Sequence, residues 1–186
     1  MTPAAGPRPR RFSTAQLTGP AVTGIRALLE AAFADDEDGR FTDEDWRHAL
    51  GGTHVLLDDG DAIVAHASVV EREIHVGGRP LRAGYVEAVA TAPDRQGAGF
   101  GTIVMADVGV LIRERFELGV LGTGRHGFYE RLGWTTWAGP SFVRTPAGLL
   151  RTPGEDGFLM VLRTLTTPPL DDRASISCDW RSGDVW

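Results

Sequence analysis

The sequence has one cysteine, Cys178, among its 186 residues. A single cysteine excludes an internal disulfide framework and a cysteine-rich zinc site, so we expect a reducing compartment and no bound metal. No apolar run approaches the roughly 20 residues of a membrane-spanning helix, and the basic start MTPAAGPRPRRF lacks the apolar stretch of a secretory signal. These absences predict a cytoplasmic protein with no membrane partner, in which residues 1–11 form a mobile, proline-rich leader.

Positive charge is also scarce, since 19 lysines and arginines face 25 aspartates and glutamates, for a net charge of -6. Nucleic-acid binding normally rests on clustered lysine and arginine, so we expect no nucleic-acid partner and favour a cationic one. Hydrophobic residues make up 42% of the chain and charged residues 24%, which is ordinary for a soluble globular protein. The length, against a prior of about 150 residues per domain, favours a single domain over residues 12–186.

Hydrophobic periodicity predicts an α+β fold. The stretch PAVTGIRALLEAAF, from Pro20 to Phe33, has the apolar spacing of a helix. A second, short helix is predicted in FTDEDWRHALGG, with Thr42 as N-cap and Asp45 completing a capping box. Three strands of antiparallel hairpins follow in HVLLDD, AIVAHASVVEREIHV and LRAGYVEAVAT. A helix over 101–116, the strand LGVLGT, a short helix in RHGFYERLGW and strands near 134–137, 142–144 and 158–162 complete the pattern.

The segment QGAGFG, from Gln96 to Gly101, places three glycines where a helix must begin. Unpaired N–H groups and a partial positive charge at such a start can receive a phosphate or pyrophosphate, although a turn that binds nothing is an equal reading of the glycines alone. A dinucleotide fingerprint would need glycine where Thr102 stands, and a nucleotide-triphosphate loop would need a Gly-Lys-Ser/Thr ending. The sequence therefore disfavours both of these phosphate-binding motifs.

Gln-x-x-Gly-x-Gly after the strand YVEAVAT resembles the acetyl-CoA-binding signature of the GCN5-related N-acetyltransferase superfamily. The segments FTDEDWRHALGGTHV, GYVEAVAT, FYERLGW and CDWRSGDVW are further similar to the bacterial aminoglycoside 2′-N-acetyltransferases. The resemblance implies a mixed, mostly antiparallel central sheet with a splayed strand pair and helices on both faces. It also implies acetyl-CoA as cosubstrate, direct transfer to the 2′-amine of an aminoglycoside, antibiotic resistance and a homodimer.

The resemblance assigns roles to residues on both sides of the reaction. Glu87 is implied as the base that removes an ammonium proton, directly or through a water, and Tyr129 as the acid that protonates the departing sulfur. A satisfied strand carboxylate and a buried core tyrosine are the structural alternatives. The backbone N–H of Val89 can polarise the thioester carbonyl. The implied acetyl-CoA contacts are Val89, Ala90, Thr91, Gln96, Gly97, Ala98, Gly99, Phe100 and Gly101.

The implied acceptor site is acidic, as a polycationic sugar requires. Its residues are Asp38, Asp45, Glu87, Ala88, Gly122, Thr123, Glu155, Asp156, Asp184 and Trp186. Asp184 and the α-carboxylate of Trp186 would bind ammonium groups, and the indoles of Trp180 and Trp186 would pack on sugar rings or shield the charges, with a core or lid contact as the alternative for Trp180. Asp38 or Asp36 would substitute for a family acid before Phe41, and Glu155 matches better than Asp156.

The loop GTGRHG, residues 122–127, departs from the family's longer, serine-rich segment, so regioselectivity or substrate range should differ. His126 in this loop is an alternative base that ranks below Glu87. Two other functions remain open at this point. One is acetylation of another polyamine or amino sugar, and the other is a non-catalytic cation-binding module of the same fold.

Overall fold

The computed structural model describes residues 7–34 and 40–186. The described chain contains four α-helices and ten β-strands, together with short 3₁₀ turns. The helices are α1 (Gly19–Ala32), α2 (Asp43–His48), α3 (Phe100–Arg115) and α4 (His126–Glu130). The strands are β1 (Arg10–Ser13), β2 (Thr53–Asp59), β3 (Ala62–Val76), β4 (Arg79–Thr91), β5 (Leu118–Gly122), β6 (Thr135–Thr136), β7 (Ser141–Thr145), β8 (Gly148–Arg151), β9 (Leu159–Arg163) and β10 (Ile176–Asp179). None of the described helices is long and apolar enough to span a membrane.

The two N-terminal helices form where the sequence predicts them. Helix α1 buries Ile25, Leu28 and Leu29, which share one helical face. At the start of α2, Thr42 Oγ1 accepts a hydrogen bond from Asp45 N at 3.2 Å, and Asp45 Oδ2 accepts from Thr42 N at 2.8 Å. The predicted capping box is therefore present, and it satisfies backbone donors that a helix start leaves without intrahelical partners.

Strand β1 corrects the predicted leader, because Arg10 and Arg11 belong to a strand that pairs antiparallel with β2. Arg10 Nε donates to Asp58 Oδ2 at 2.7 Å, and Arg11 Nε donates to Asp107 Oδ2 at 2.7 Å. Four residues are too few to show a hydrophobic alternation, so the sequence pattern does not predict this strand. Strands β8 and β10 are equally short and were also not predicted.

The chain divides into two compact units, each built from two stretches of sequence. The first contains Met1–Val70 and Glu87–Val108, and the second contains Glu71–Val86 and Gly109–Trp186. The sequence offered no sign of this division, because β3 and β4 each contribute residues to both units and no linker separates them. In the first unit, a core cluster joins the buried faces of α1 and α2 to β2 and the end of β4.

Within the second unit, the strands follow the order β6-β9-β5-β4-β3-β10-β7-β8. The β4–β5 and β7–β10 pairs are parallel, whereas β5–β9, β6–β9, β7–β8 and β3–β10 are antiparallel. The mixed, mostly antiparallel α+β fold is thus confirmed. Parallel pairing of β4 with β5 covers only Ala83–Tyr85 against Leu118–Val120 and stops although β4 continues to Thr91. This short ladder agrees with the predicted splay.

Candidate active site

The glycine loop leads directly into α3 in the first unit. The loop is exposed from Gln96 to Gly99, and the hydrogen bond from Ile103 N to Gly99 O, 3.1 Å, closes the first helical turn. Gly97 and Gly99 have φ values of +80° and +84°, which side chains rarely adopt, and a Cβ built at either would meet no described atom within 4 Å. Side chains at these two positions would thus meet open space, and the unpaired amides of a helix start, such as that of α3, can bind an anion such as a pyrophosphate.

Strand β4 contains a residue of unusual backbone conformation beside the candidate base. Ala88 has a φ of +52° and is the one non-glycine residue of the described chain with a positive φ. Its neighbours Glu87 and Val89 are half-buried. A left-handed conformation costs an L-residue roughly 1–2 kcal/mol, so the surrounding structure must hold it in place. The predicted base and the predicted amide donor therefore flank a strained residue.

A buried pair of histidines contacts this strained residue. His66 Nδ1 lies 2.7 Å from Ala88 O, and His66 Nε2 lies 3.0 Å from His54 Nδ1. Both side chains have 0% exposure. Burial lowers the pKa of His54 from 6.5 to about 4 and that of His66 to about 3, so both rings are neutral at neutral pH. Neither histidine is among the site residues predicted from the sequence.

Tyr129 lies in α4, in the second unit, and is buried. Its ring makes edge contacts with Phe128 and Trp134, at centroid distances of 4.9 Å and 6.3 Å. Burial raises the pKa of Tyr129 to about 12, against a smaller lowering by the charge of Arg125. The phenol therefore keeps its proton at neutral pH, as an acid or hydrogen-bond donor must.

Two predicted acceptor acids come together near the C-terminal segment. Burial raises the pKa of Glu155, and the nearby charge of Asp184 raises it further. Asp184 Oδ1 also accepts from Trp186 N at 3.2 Å. Trp186 itself belongs to the core cluster of the second unit, is 4% exposed and donates from Nε1 to Thr152 Oγ1 at 3.1 Å. Glu155 and Asp184 thus concentrate negative charge where the segment folds back.

A family model for the acetyltransferase (GNAT) domain matches residues 15–137. The chain belongs to the GNAT acetyltransferase family. An aminoglycoside 2′-N-acetyltransferase from Mycolicibacterium fortuitum is 42% identical over 182 residues, which cover 95% of this chain and 91% of that protein. With 95% of this chain aligned, that match extends well beyond residue 137, where the family model ends.

Solved structures support the GNAT fold. A GNAT family acetyltransferase from Brucella melitensis in complex with acetyl-CoA has a TM-score of 0.61 at 16% identity, with 94% of this chain and 97% of that chain covered. A GNAT family N-acetyltransferase from Escherichia coli in complex with CoA has a TM-score of 0.63 at 17% identity, with 96% and 92% covered. At these identities the likeness concerns the fold alone.

In this GNAT protein, several predicted site residues have partners within their own units. Asp156 accepts from Ser141 N at 3.0 Å and from Ser141 Oγ at 2.9 Å, and it forms an ion pair with Arg151. The hydrogen bond from Arg151 is the main reason that the pKa of Asp156 is lowered to about 2. Asp45 Oδ2 caps α2, as described above. The carboxylate of Asp156 and one oxygen of Asp45 therefore have hydrogen-bond partners within the protein, and an antibiotic substrate is not needed to explain their positions.

The GTGRHG loop of this acetyltransferase is tied to the segment before β9. Thr123 N donates to Phe158 O at 2.9 Å, and Thr123 Oγ1 accepts from Arg125 N at 2.9 Å. His126 Nε2 donates to Gly157 O at 2.6 Å, so this nitrogen is not available as a base. Gly122 is exposed at the end of β5. Hydrogen bonds to backbone groups therefore hold Thr123 and His126 in place.

The structure shows the extent of burial of the two tryptophans that were predicted to contact the acceptor in this GNAT protein. The indole of Trp186 packs in the core instead of offering its face to a sugar, because burying a large apolar ring is favourable. Trp180 is 61% exposed, so it is not a core residue. Asp36 and Asp38 lie outside the described residues. Among the described residues no cluster of three metal-ligating side chains occurs.

Proposed function

We propose that this GNAT protein transfers the acetyl group of acetyl-CoA to the 2′-amine of an aminoglycoside and thereby confers resistance to the antibiotic. The observation that carries the proposal is the 42% identity to an aminoglycoside 2′-N-acetyltransferase along nearly the whole chain. The N-terminal fold, the β4 segment and the residues before β9 all fall within such a match. The geometry of the glycine loop and of β4 supports the same reaction.

Acetyl-CoA supplies a thioester whose carbonyl carbon is open to attack by an amine. Residues 96–101 would hold its pyrophosphate through the amides at the start of α3. Val89, one position beyond Ala88, would donate its backbone N–H to the carbonyl oxygen. Positioned donors of this kind are worth about 10²- to 10³-fold in kcat.

The acceptor is an ammonium ion at neutral pH, and it must lose one proton before its nitrogen can attack. Glu87, half-buried in β4, would accept that proton directly or through a water. Its negative charge would also attract the ammonium group before transfer. Glu87 takes this first proton before attack. As the new C–N bond forms and the C–S bond breaks, the nitrogen releases its second proton to solvent, and the departing sulfur takes up a proton.

The departing sulfur carries negative charge that must be stabilised. Tyr129, whose raised pKa of about 12 keeps it protonated, would donate from its hydroxyl to this sulfur. Glu155 and Asp184 would bind further ammonium groups of the antibiotic, since their mutual repulsion is relieved by a cation. Asp45 and Asp38 remain predicted acceptor residues.

A second candidate is N-acetylation of another polyamine or amino sugar, because the Glu155 and Asp184 charges would attract any compact polycation. A cytoplasmic location and a homodimer remain predictions as well. They follow from the cysteine usage and the family resemblance.

The decisive experiment measures thiol release from acetyl-CoA with two matched aminoglycosides, one carrying a 2′-amine and one a 2′-hydroxyl. Release with the amine alone, and an acetyl group located on the 2′-nitrogen by NMR of the product, would support the proposal. Release with both acceptors would move the site of attack to another amine. No release with either, in a protein whose melting temperature rises with acetyl-CoA, would favour the second candidate.

A further inference from the structure

We infer that Thr14, His54 and His66 form a directional hydrogen-bond chain that orients the Val89 N–H toward the thioester carbonyl. The inference rests on the proposed acetyl transfer, because Val89 has a catalytic task only in that reaction. The three side chains would be positioning residues, since they act through the Ala88–Val89 peptide. All of them lie in the first unit.

Four contacts link a loop to the strained residue in β4. Gly51 N donates to Thr14 Oγ1 at 2.9 Å, and Thr14 Oγ1 lies 2.9 Å from His54 Nε2. His54 Nδ1 lies 3.0 Å from His66 Nε2, and His66 Nδ1 lies 2.7 Å from Ala88 O. Each distance is that of a normal hydrogen bond. The chain therefore runs unbroken from Gly51 to Ala88.

The last acceptor fixes the direction of every proton in the chain. A carbonyl oxygen only accepts, so His66 Nδ1 must carry a proton and donate it to Ala88 O. A neutral His66 then has a bare Nε2, which must accept from His54 Nδ1–H. His54 Nε2 is bare in turn and accepts from the hydroxyl of Thr14, whose oxygen accepts from Gly51 N–H. All dipoles point the same way, so each bond polarises the next.

This chain determines where the Val89 N–H points. The described chain has no cis peptide, and in a trans peptide the C=O and the following N–H are antiparallel. Ala88 O points toward fully buried His66. The N–H of Val89 must therefore point away from the histidines. The left-handed φ of Ala88, which separates this peptide from regular strand geometry, is held by a buried side-chain donor.

A one-residue irregularity in the β2–β3 hairpin brings the two histidines together. Near the turn Asp59 pairs with Ala62, but the register shifts between Leu57 and Asp58. Beyond the shift His54 pairs with Ser68, so His66 is its diagonal neighbour on the same face. Without the extra residue the two rings would lie on opposite faces of the hairpin. The bulge is thus a structural condition for the chain.

The first test is nitrogen-15 NMR of the histidine rings in the wild-type protein at neutral pH. We expect His66 and His54 both to be neutral, with the proton on Nδ1 and a bare Nε2. The opposite tautomer on His66 would overturn the inference, because Ala88 O would then have no donor. This measurement needs no substitution and therefore does not depend on the folding of a variant.

The second test compares His66→Asn with His66→Leu. The amide nitrogen of Asn can occupy the position of Nδ1 and still donate to Ala88 O, whereas Leu is similar in size and cannot. The readout is the infrared carbonyl band of acetyl-CoA, labelled with carbon-13 at the carbonyl, in the binary complex without acceptor. We expect a lower wavenumber than in free acetyl-CoA for wild type and Asn, and a return toward the free value for Leu.

Kinetics separate positioning from binding. In His66→Leu we expect kcat to fall about 10²-fold, the scale of one lost carbonyl donor, while KM for acetyl-CoA changes only a few-fold because the glycine loop is intact. His66→Asn should recover most of the loss, and His75→Gln, at a histidine of the second unit that hydrogen-bonds to Glu73, should change neither value. A carbonyl band at the wild-type position and a wild-type kcat in a folded His66→Leu protein would refute the inference while leaving acetyl transfer intact. Failure of the wild-type protein to bind acetyl-CoA would overturn both proposals.

Discussion

Lowering the pH from about 8 to about 5 should destabilise the protein through its two buried histidines. Burial lowers the pKa of His54 from 6.5 to about 4 and that of His66 to about 3. Because the folded-state values lie below the unfolded value, the unfolded chain binds more protons once the pH falls below 6.5. The stabilising contribution is therefore complete above pH 6.5 and is progressively lost down to the folded pKa values.

The magnitude follows from these values. A pH of about 5 lies about 1.5 units below the unfolded pKa, so the unfolded histidines are protonated there while the folded rings are still neutral. Each pH unit in this range corresponds to about 1.4 kcal/mol per ring. Each histidine thus removes about 2 kcal/mol of the free energy of unfolding, and the pair about 4 kcal/mol. Glu155 has a raised pKa and works in the opposite direction, so the net loss should be somewhat smaller. Against a typical stability of about 5–15 kcal/mol, such a loss is large.

Urea unfolding at several pH values measures this effect. Trp46 lies 5.9 Å from His54 in the first unit, so tryptophan fluorescence includes a local probe. His66→Asn removes one titrating ring and should halve the acid loss, to about 2 kcal/mol. His75→Gln keeps both buried rings and should keep the full loss. Equal stability at the two extremes in wild type, or an unchanged pH dependence in His66→Asn, would contradict the reasoning.

Further substitutions test the other parts of the site. Ala88→Val should cost about 1–2 kcal/mol of stability in urea, because a β-branched side chain resists the left-handed conformation, whereas Ala88→Gly should leave the fold intact. Tyr129→Phe should lower kcat about 10²-fold or more in the thiol-release assay and leave thermal stability nearly unchanged. Glu155→Gln should raise KM for the aminoglycoside about 10-fold without affecting KM for acetyl-CoA, since one attractive charge is lost. Asp156→Ala should instead destabilise by about 1–2 kcal/mol in urea, because it leaves the N–H of the buried Ser141 without its acceptor.

The sequence predicts an element well when the interactions that define it lie among a few adjacent residues. The capping box of Thr42 and Asp45 predicts the start of α2 from adjacent residues, without any tertiary contact. The glycines of residues 96–101 marked the loop before α3 for a similar reason, since only glycine adopts the φ values found at Gly97 and Gly99 without strain. Strand β10 could not be predicted in this way, because its parallel pairing with β7 joins residues more than 30 positions apart.

The histidine pair shows why the most informative part of the site was missed. The turn after Asp59 suggests a simple hairpin, and in that register His54 and His66 would lie on opposite faces. The irregularity between Leu57 and Asp58 reverses this, but nothing in HVLLDD or AIVAHASVV marks the extra residue. The left-handed Ala88 is similarly hidden, because the sequence places no glycine there. Face assignments along a strand therefore fail after a bulge even when each strand is correctly placed.

The two buried histidines reduce the stability of the folded protein in acid. The positioning of the Val89 N–H explains why they are present despite this cost. Two apolar side chains of similar volume would pack in the same core without taking up protons in acid, and buried polar groups are often no more stabilising than such replacements. Those replacements would leave Ala88 O without a buried donor and its strained peptide without a fixed orientation. A His54→Leu, His66→Leu double variant should therefore be less sensitive to acid than wild type and yet turn over more slowly. Gain of acid stability together with loss of kcat is the combination that a merely structural pair of histidines would not produce.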